Sequence, residues 1–511
     1  MPEIKPPGVY KPEYAVVANT ITEADTAVAA FIGYTQKADN VDGSVCNRPW
    51  LISSLAEFER VFGAAPTPHF SIEEKPSTAG EKPAFSLDGR DYWVHQSEGK
   101  AGGRYLLYYG IQLFFLNGGS TCQVVSVGNY DEDVSAEALT GGLDALAGEQ
   151  EPAMVIIPDA VLLDDPACQA VQRACLRHCG ETKSRFALLD IRSGDRNRNH
   201  PDGDCIERFR AGIGDTYLSY GAVYYPWLNT TLAAETDIGH RNIANPDTLA
   251  TLLHRERTLD GARSRKSTGF PRARGGLSSK PLFDEADALF GKGGFSDEAI
   301  ATSPLYAALL RACRARLAVL PPAAALAGVY ARMDGERGVW KAPANIALHG
   351  VESPAVAIND QQQADLNTPK DSKAVNAIRT FAGKGTLVWG ARTLAGNDNE
   401  WRYVSVRRTA IMFENTILRA CQRHRSRPND AQTWTLVKHE IEHFLTGIWR
   451  RGGLMGATPK EAFAVLIGTG STMTAADVAS GLMVVNVMVA MTQPAEFIVL
   501  SIKLRMEQAQ S

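Results

Sequence analysis

The C-terminal end of the chain carries the stretch PAEFIVLSIKLRM, residues 494–506, whose alternating apolar pattern is typical of a β-strand. No partner strand is evident beside it in the sequence, and a strand with an open edge must hydrogen-bond to something. The N-terminal end has a similar character, because YAVVANTI (residues 14–21) is extended in composition and follows PPGVY (residues 6–10). Two open-edged termini favour a polymer over a catalyst, with a second copy of the chain as the pairing partner.

The composition is that of an ordinary globular protein. The chain has 511 residues, 44% of them hydrophobic, and a formal net charge of −4, so we expect two or three domains and no global basic field for nucleic acid. The most apolar window, VASGLMVVNVMVAM (residues 478–491), is too short to cross a bilayer and predicts a buried strand. The N-terminus shows no secretory pattern, which predicts cytoplasmic synthesis. Eight scattered cysteines predict reduced, mostly buried thiols.

The first part of the chain alternates strand-like and helix-like segments, which predicts an α/β layer domain over residues 26–228. Several of the strand-like segments are continuous apolar runs, as expected for strands that are covered on both faces. The predicted strands are residues 27–34, 122–127, 153–157, 185–191 and 221–225, with helices at 136–147 and 166–179. Residues 66–103 are rich in Pro, Ser, Lys and Gly and predict a surface excursion.

Residues 229–325 interrupt this rhythm with basic, Gly- and Ser-rich sequence and then a helical run at 304–320, so they are predicted to be an insertion. The chain is compact again from residue 338 onward. In that part we predict a strand at 386–389, long helices at about 403–423 and 434–451, and terminal strands.

The sharpest local motif is HEIEH at residues 439–443, which satisfies the zinc-binding pattern HExxH and also the inverted pattern HxxEH. On a helix His439 and His443 share one face and could bind zinc, with a glutamate as general base, which makes a zinc metallohydrolase the alternative function. The apolar side of the same helix is formed by Ile441, Phe444 and their neighbours, so the histidines lie beside or opposite the packed stripe. A charged stripe that faces solvent or an interface is the competing interpretation.

Two further clusters admit two interpretations each. Cys168, Cys175, His178 and Cys179 could bind a metal or form a redox pair, or the cysteines could pack in the core on one side of a helix. Residues 254–280 hold eight Lys or Arg, including Arg263 and Arg274, and could bind nucleic acid or form a solvated loop.

Beyond these motifs, stretches along nearly the whole chain resemble the contractile tail sheath proteins of phages and phage-tail-like injection systems. Two of them, FIGYTQKA (residues 31–38) and EPAMVIIPDAVLL (151–163), are similar to extracellular injection-system sheaths of the antifeeding-prophage or virulence-cassette type. The others are PPGVY (6–10), ISSLAEFERVFG (52–63), FFLNGGSTCQVVSVG (114–128), YGAVYYPWL (220–228), LAGVYAR (326–332), GVWKAPAN (338–345), TLVWGARTL (386–394), VRRTAIMFENTI (406–417), PNDAQTW (428–434), GATPKEAF (456–463) and PAEFIVLSIKL (494–504).

The sequence departs from the family pattern in two places. Residues 229–325 separate YYPWL from LAGVYAR, which are usually close together, and the resemblance implies that this insertion decorates the outer surface. The basic stretch RACQRHRSR (419–427) replaces a shorter apolar lead before PNDAQTW.

The resemblance implies a mixed α/β, multidomain sheath fold with a structural, non-enzymatic role. Family sheaths form helical stacks of rings around an inner tube and contract from a metastable extended state. The implied parts are an N-terminal arm (1–25), an outer α/β domain (26–228), a surface insertion (229–325) and an inner domain (326–511) that includes the arm. The residues expected to exchange between subunits are Tyr14, Val16, Val17, Ile21, Glu496, Phe497, Ile498, Val499, Leu500 and Ile502.

The same resemblance implies the partners. They are further copies of the chain, an inner tube protein, a baseplate and paralogous sheath proteins, without nucleic acid, membrane insertion, metal or cofactor. The particle would assemble in the bacterial cytoplasm as a phage tail or as a released phage-tail-like particle. Weak ion pairs suit a grip on the tube that must release. The candidates are Arg407, Arg408, Arg419 and Arg423, which could instead pair within the subunit or with a neighbouring subunit.

Overall fold

The computed structural model describes residues 21–41, 43–76, 81–234, 238–267, 302–370, 373–492 and 498–505. The chain divides into two compact units. The larger unit is Asp25–Met412, and the smaller unit combines Met1–Ala24 with Phe413–Ser511. The mixture of helices and sheets confirms the predicted α/β multidomain fold class.

The described strands are, in chain order, β1 (Ala29–Thr35), β2 (Asp39–Asn40), β3 (Gly43–Ser44), β4 (Trp50–Ile52), β5 (Ser71–Glu73), β6 (Phe85–Leu87), β7 (Arg90–His95), β8 (Cys122–Asn129), β9 (Met154–Ile156), β10 (Phe186–Asp190), β11 (Gly221–Tyr225), β12 (Leu228–Thr230), β13 (Val319–Leu320), β14 (Ile346–Ala347), β15 (Val351–Pro354), β16 (Asn376–Phe381), β17 (Gly385–Val388), β18 (Phe463–Ile467), β19 (Leu482–Val489) and β20 (Ile498–Arg505).

The described α-helices are α1 (Leu55–Phe62), α2 (Leu107–Leu116), α3 (Ala136–Ala145), α4 (Asp165–Thr182), α5 (Cys205–Gly212), α6 (Pro246–Ser267), α7 (Pro304–Leu317), α8 (Ala323–Arg337), α9 (Asp360–Asn367), α10 (Val404–Gln422), α11 (Ala431–Arg450), α12 (Pro459–Ala462) and α13 (Ala475–Ala479).

A nine-stranded sheet forms the centre of the larger unit, in the order β14-β17-β16-β11-β10-β9-β1-β8-β4. Its six strands from β8 to β16 run parallel, whereas β4, β17 and β14 add antiparallel edges. The five strands predicted for residues 26–228 are the parallel core of this sheet up to β11. Their continuous apolar runs are explained because helices cover both faces.

Adjacent residues of β1 show this double coverage. The ring of Phe31 lies 5.3 Å from that of Phe114 on α2. Ile32, the next residue, faces the opposite side of the sheet and packs against Gly142 of α3. The contact is so close that a Cβ atom added to Gly142 would lie 2.4 Å from the Ile32 side chain. Both β1 residues are fully buried, so the strand is packed between α2 and α3.

Two buried carboxylates fix the ends of parallel strands. Asp159, which follows β9, accepts the N–H of Tyr34 at 2.8 Å and that of Leu106 at 2.6 Å. Asp190, the last residue of β10, accepts the N–H of Ala323 at 2.8 Å in the first turn of α8. Each carboxylate therefore ties a strand end to a sequence-distant backbone segment, at the cost of burying an ionisable group.

Two segments are more closely integrated into the larger unit than the sequence predicts. Residues 66–103 contain a three-stranded sheet, β5-β7-β6, and bury Phe70, Ile72, Tyr92 and Val94 in the core, so they are not merely a surface excursion. The ends of the 229–325 insertion also contribute core residues, such as Leu249 and Leu309. The central part of that insertion, residues 268–301, lies outside the described residues.

The boundary between the units also differs from the predicted start of the inner domain at residue 326. Residues 326–412 lie in the larger unit. The reason is that β16 continues the main sheet by pairing in parallel with β11, and β17 and β14 then follow as antiparallel strands.

The smaller unit contains an antiparallel sheet in the order β18-β19-β20. Helix α11 supplies apolar residues to its core, including Ile441, Leu445 and Ile448, all of which are fully buried. Phe413 packs edge-on against Phe444 of α11 with ring centroids 6.0 Å apart. Burial of α11 along one face confirms the apolar stripe predicted from its spacing.

We expect Asp190 to make stability depend on pH. Burial raises the pKa of Asp190 to about 7, well above the value of roughly 3.9 for an unfolded chain. Between these two values the folded state holds a proton that the unfolded state has released, so the free energy of unfolding falls as pH rises from about 4 to 7. Asp190→Asn keeps an oxygen for the Ala323 N–H and should flatten this slope, by at most about 4 kcal/mol over the window. Urea denaturation of both proteins across this pH range measures the difference, and parallel slopes would contradict the assignment.

Candidate assembly interface

The C-terminal strand β20 lies at the edge of the smaller unit's sheet and pairs with β19 of the same chain. Eight residue pairs form the antiparallel register, from Leu482 opposite Arg505 to Val489 opposite Ile498. The expectation that no partner strand is encoded in the chain is therefore wrong, because β19 is that partner. Among the described residues, no strand pairs with the other side of β20.

The residues predicted for strand exchange fall into three groups. Ile498, Val499, Leu500 and Ile502 belong to β20 and take part in its register. Ile21 is buried, with 9% of its surface exposed. Tyr14, Val16, Val17, Glu496 and Phe497 lie outside the described residues.

The base of the N-terminal arm is anchored to the smaller unit. The N–H of Ala24 donates to Oγ1 of Thr416 at 2.9 Å in a buried position. The carboxylate of Glu23 forms an ion pair with Arg451. These contacts and the burial of Ile21 bring the chain entering from the N-terminus to the same unit that contains β20.

The side chains of Arg407 and Arg408 both make close contacts inside the larger unit. The guanidinium of Arg407 lies 3.4 Å from the ring centroid of Trp401 and 4.3 Å from that of Tyr220, which is a double cation–π arrangement. Arg408 binds Asp334 through two hydrogen bonds of 3.0 and 2.6 Å. Because both arginines are buried, 6% and 4% exposed, neither offers its charge to a partner surface in this chain.

Arg419 and Arg423 lie in the smaller unit and are more accessible. Arg419 is half-buried, and Arg423 is exposed. Arg423 forms a 3.5 Å ion pair with Glu440 while 43% of its side chain remains exposed. A tube-facing role therefore stays a prediction for Arg419 and Arg423. Arg407 and Arg408 instead interact with residues of their own subunit.

The HEIEH motif lies on α11 with its two histidines and its first glutamate on different sides. His439 and His443 are exposed, whereas Glu440 is buried and accepts a 3.1 Å hydrogen bond from Nε2 of His424. The glutamate is thus occupied in the interior, away from the histidine pair that it would have to serve. In the described part of the chain, no group of three His, Cys, Asp or Glu is arranged to hold a metal ion.

The cysteine cluster follows the core interpretation. Cys168, Cys175 and Cys179 are buried, and burial raises the pKa of the Cys168 thiol to about 12. Burial, assisted by the Arg185 guanidinium, lowers the pKa of His178 to about 4. Thiols with a raised pKa are poor nucleophiles and poor metal ligands.

The basic stretch is only partly described. Residues 254–267 belong to α6, whereas residues 268–280, including Arg272 and Arg274, lie outside the described residues. Among the described helices, none combines the length and the apolarity that a membrane span requires.

Sequence inspection missed β19 as the partner of β20, although a signal was present. Met483, Val485, Val487 and Val489 are all buried and alternate along β19, as in a strand with one covered face. The predicted buried strand in residues 478–491 and the predicted terminal strand are thus two halves of one antiparallel pair.

Comparison with known proteins finds a family match in the C-terminal part of the chain. Residues 396–505 match the phage tail sheath C-terminal domain family. The tail sheath protein of Burkholderia phage BcepMu is 26% identical over 141 residues, which are 27% of this chain and 29% of that protein. The match thus spans less than a third of that relative's length.

The fold of the whole chain is also similar to that of chains in solved structures. A chain of the anti-feeding prophage baseplate is covered over 100% of both chains, with a TM-score of 0.57 and 24% identity. A chain of the PVC sheath complex, from an extracellular contractile injection system in its contracted state, is covered over 98% of both chains, with a TM-score of 0.55 and 24% identity.

Residues 396–505 therefore resemble the phage tail sheath C-terminal domain, and the chain as a whole has a fold similar to that of the solved PVC sheath chain. The resemblance to the contractile tail sheath family inferred from the sequence is confirmed.

We expect Glu440 and the two motif histidines to respond differently to substitution. Glu440→Ala leaves the buried His424 ring without its partner and should lower the free energy of unfolding by about 1–3 kcal/mol. His439→Ala and His443→Ala remove exposed side chains and should each change it by less than about 0.5 kcal/mol. Urea denaturation with and without zinc measures both effects. Zinc-dependent stabilisation that His443→Ala removes would instead favour a metal site.

We expect Asp334 to be essential for the fold of the larger unit. Asp334→Ala leaves the buried Arg408 guanidinium without its carboxylate, which should cost about 3–5 kcal/mol. Asp360→Ala is the matched control, because Asp360 pairs with Arg379 while 94% of its side chain is exposed, and such pairs contribute roughly 0–1 kcal/mol. Thermal denaturation followed by circular dichroism compares the two variants. Equal losses would show that the Arg408–Asp334 pair has no special weight.

Proposed function

We propose that this chain is the structural subunit of a contractile sheath. The sheath polymerises helically around an inner tube and contracts from a metastable extended state to drive the tube through a target envelope. The observation that carries the proposal is the edge strand β20, bound through its backbone to β19 within a phage tail sheath C-terminal domain.

Backbone pairing makes β20 suited to exchange between subunits. Every neighbouring copy contains the same β19, so the same eight-pair register can form between chains. Exchange requires only that the connection between Val489 and Ile498 open. Main-chain bonds then keep subunits linked while the packing between them changes. A heterologous contact that does not close into a ring builds a helix, as a sheath requires.

The remaining partners follow from the same role. They are an inner tube protein, a baseplate and paralogous sheath proteins, in a particle that assembles in the bacterial cytoplasm. Tyr14, Val16, Val17 and Ile21 supply the second exchanged segment from the N-terminal arm. Arg419 and Arg423 are the candidates that contact the tube through weak, releasable ion pairs. The driving free energy resides in packing, so the role needs no cofactor and no catalytic residue.

Disulfide trapping tests whether β20 pairs between chains in the assembled particle. Asn486 lies directly opposite Ser501 in the register. The double variant Asn486→Cys with Ser501→Cys, made in a Cys46→Ser background, places two thiols at this pair and removes the only exposed cysteine among the described residues. Oxidised particles should give a ladder of covalent multimers on a non-reducing gel.

The matched control moves one cysteine out of register. Lys503 lies opposite Val484, so Asn486→Cys with Lys503→Cys gives a diagonal pair that should cross-link poorly. If the in-register pair gives only an internally cross-linked monomer in assembled particles, β20 is not exchanged.

Truncation tests whether β20 is needed for polymerisation. The chain should be expressed together with the genes encoded beside it and viewed by negative-stain electron microscopy. Deleting residues 498–511 should abolish hollow tubes while the larger unit stays folded. Deleting only residues 506–511, which follow β20, should leave the tubes intact. Tubes of normal length from the longer deletion would contradict polymerisation through β20.

A further inference from the structure

The larger unit contains a polar cleft of about 1010 Å³ that the sheath role does not use. Its walls come from three places: the loop that follows β10, the residues around β7, and helix α7. The first wall lies at the carboxyl end of a parallel strand, which is where open α/β sheets commonly bind ligands. The volume is at the upper end of the range for small-molecule sites.

The cleft is predominantly cationic. Six Lys or Arg residues line it, against three carboxylates. Two of those carboxylates are neutralised inside the cleft, because Glu81 pairs with Arg316 and Glu98 lies 3.2 Å from Arg104. Asp195 is the third. Of the remaining cations, Arg192 pairs with Asp165 and Arg196 with Asp202, both outside the lining. Lys82 and Arg311 therefore exceed Asp195 by one charge, and a concave wall focuses their field.

Several of these cations keep donors available. Within the described part of the chain, Arg311 and Lys82 have no ion-pair or hydrogen-bond partner. Arg196 uses only Nη1, in a 2.6 Å bond to Asp202, which leaves Nε and Nη2. Guanidinium groups with two adjacent free N–H bonds match the oxygens of phosphate or carboxylate.

The shape of helix α7 keeps the cleft open. The cleft-lining residues Ala308, Arg311, Ala312 and Ala315 recur at helical spacing, so this face of the helix presents three small side chains beside Arg311. Arg316, which also lines the cleft from this helix, is already paired with Glu81. The large residues Leu305, Leu309 and Leu317 are buried on the other side. On the opposite wall, Ser193 has a φ of 55°, which is a costly conformation for a residue other than glycine.

We propose that this cleft is a binding site for a small ligand that carries two or more phosphate or carboxylate groups. Arg196 from the loop after β10 and Arg311 from α7 bind the oxyanions through charge-assisted hydrogen bonds, and Lys82 adds a third charge. The alanines of α7 leave room for the body of the ligand. The site lies within the larger unit and does not depend on the proposed sheath function.

Isothermal titration calorimetry of the full-length chain tests the proposal with two probes, inorganic tripolyphosphate and citrate, at constant ionic strength. Saturable binding of at least one probe at one site per chain is expected. Arg311→Ala and Arg196→Ala should each weaken it roughly tenfold or more, because each removes a charged hydrogen-bond donor. Tighter binding of tripolyphosphate would indicate a phosphorylated ligand, and tighter binding of citrate a polycarboxylate.

The control is Arg177→Ala, which removes the same charge from an exposed position on α4 outside the cleft and should change affinity less than twofold. Thermal denaturation verifies that each variant is folded, which is expected because Arg311 is exposed. If neither tripolyphosphate nor citrate binds, the proposal is overturned. So would equal weakening by Arg177→Ala, since that would indicate attraction by overall charge alone.

Discussion

The backbone hydrogen bonds between β19 and β20 are the interaction on which the proposed assembly depends. Each bond joins main-chain groups, so its strength is nearly independent of the side chains that surround it. A neighbouring β19 offers the same donors and acceptors as the chain's own, so pairing within a chain and between chains differs mainly in the conformation of the connecting residues and in subunit concentration. A link that is chemically identical in both arrangements can persist while other contacts are exchanged.

The larger unit is built in the opposite way, from interactions that permit only one arrangement. Asp190 accepts the N–H of Ala323 in the first turn of α8, and Arg408 donates to Asp334. Asp190 and Arg408 are both buried. Moving either partner would leave a buried ionisable group unpaired, which costs several kcal/mol. In the proposed sheath, we therefore expect contraction to be accommodated outside the parallel sheet of the larger unit.

The sequence predicts the fold where local pattern and tertiary structure agree. The apolar runs of β1, β8, β9, β10 and β11 require two covered faces, which only a layered α/β unit provides, so the fold class could be predicted from them. The sequence does not predict that residues 326–412 belong to the same unit. Their place in it depends on the pairing of β16 with β11, and this parallel ladder joins only Tyr224 to Asn376 and Tyr225 to Ala377. So short a ladder between distant segments leaves no periodic signal.

The candidate sites show the same limit more sharply, because a motif specifies residue types and not their partners. HEIEH contains the residue types of a zinc site. The hydrogen bond from His424 to Glu440, however, shows that the first glutamate of the motif belongs to the packed face of α11. Arg407 and Arg408 are adjacent and equally charged in sequence, but one is enclosed by aromatic rings and the other by a carboxylate 74 residues away. Side chains at such separations are brought together only by the fold. A charge that is available to a partner must therefore be identified from its exposure in the folded chain, and in this respect Arg423 and Arg311 differ from the buried Arg407 and Arg408.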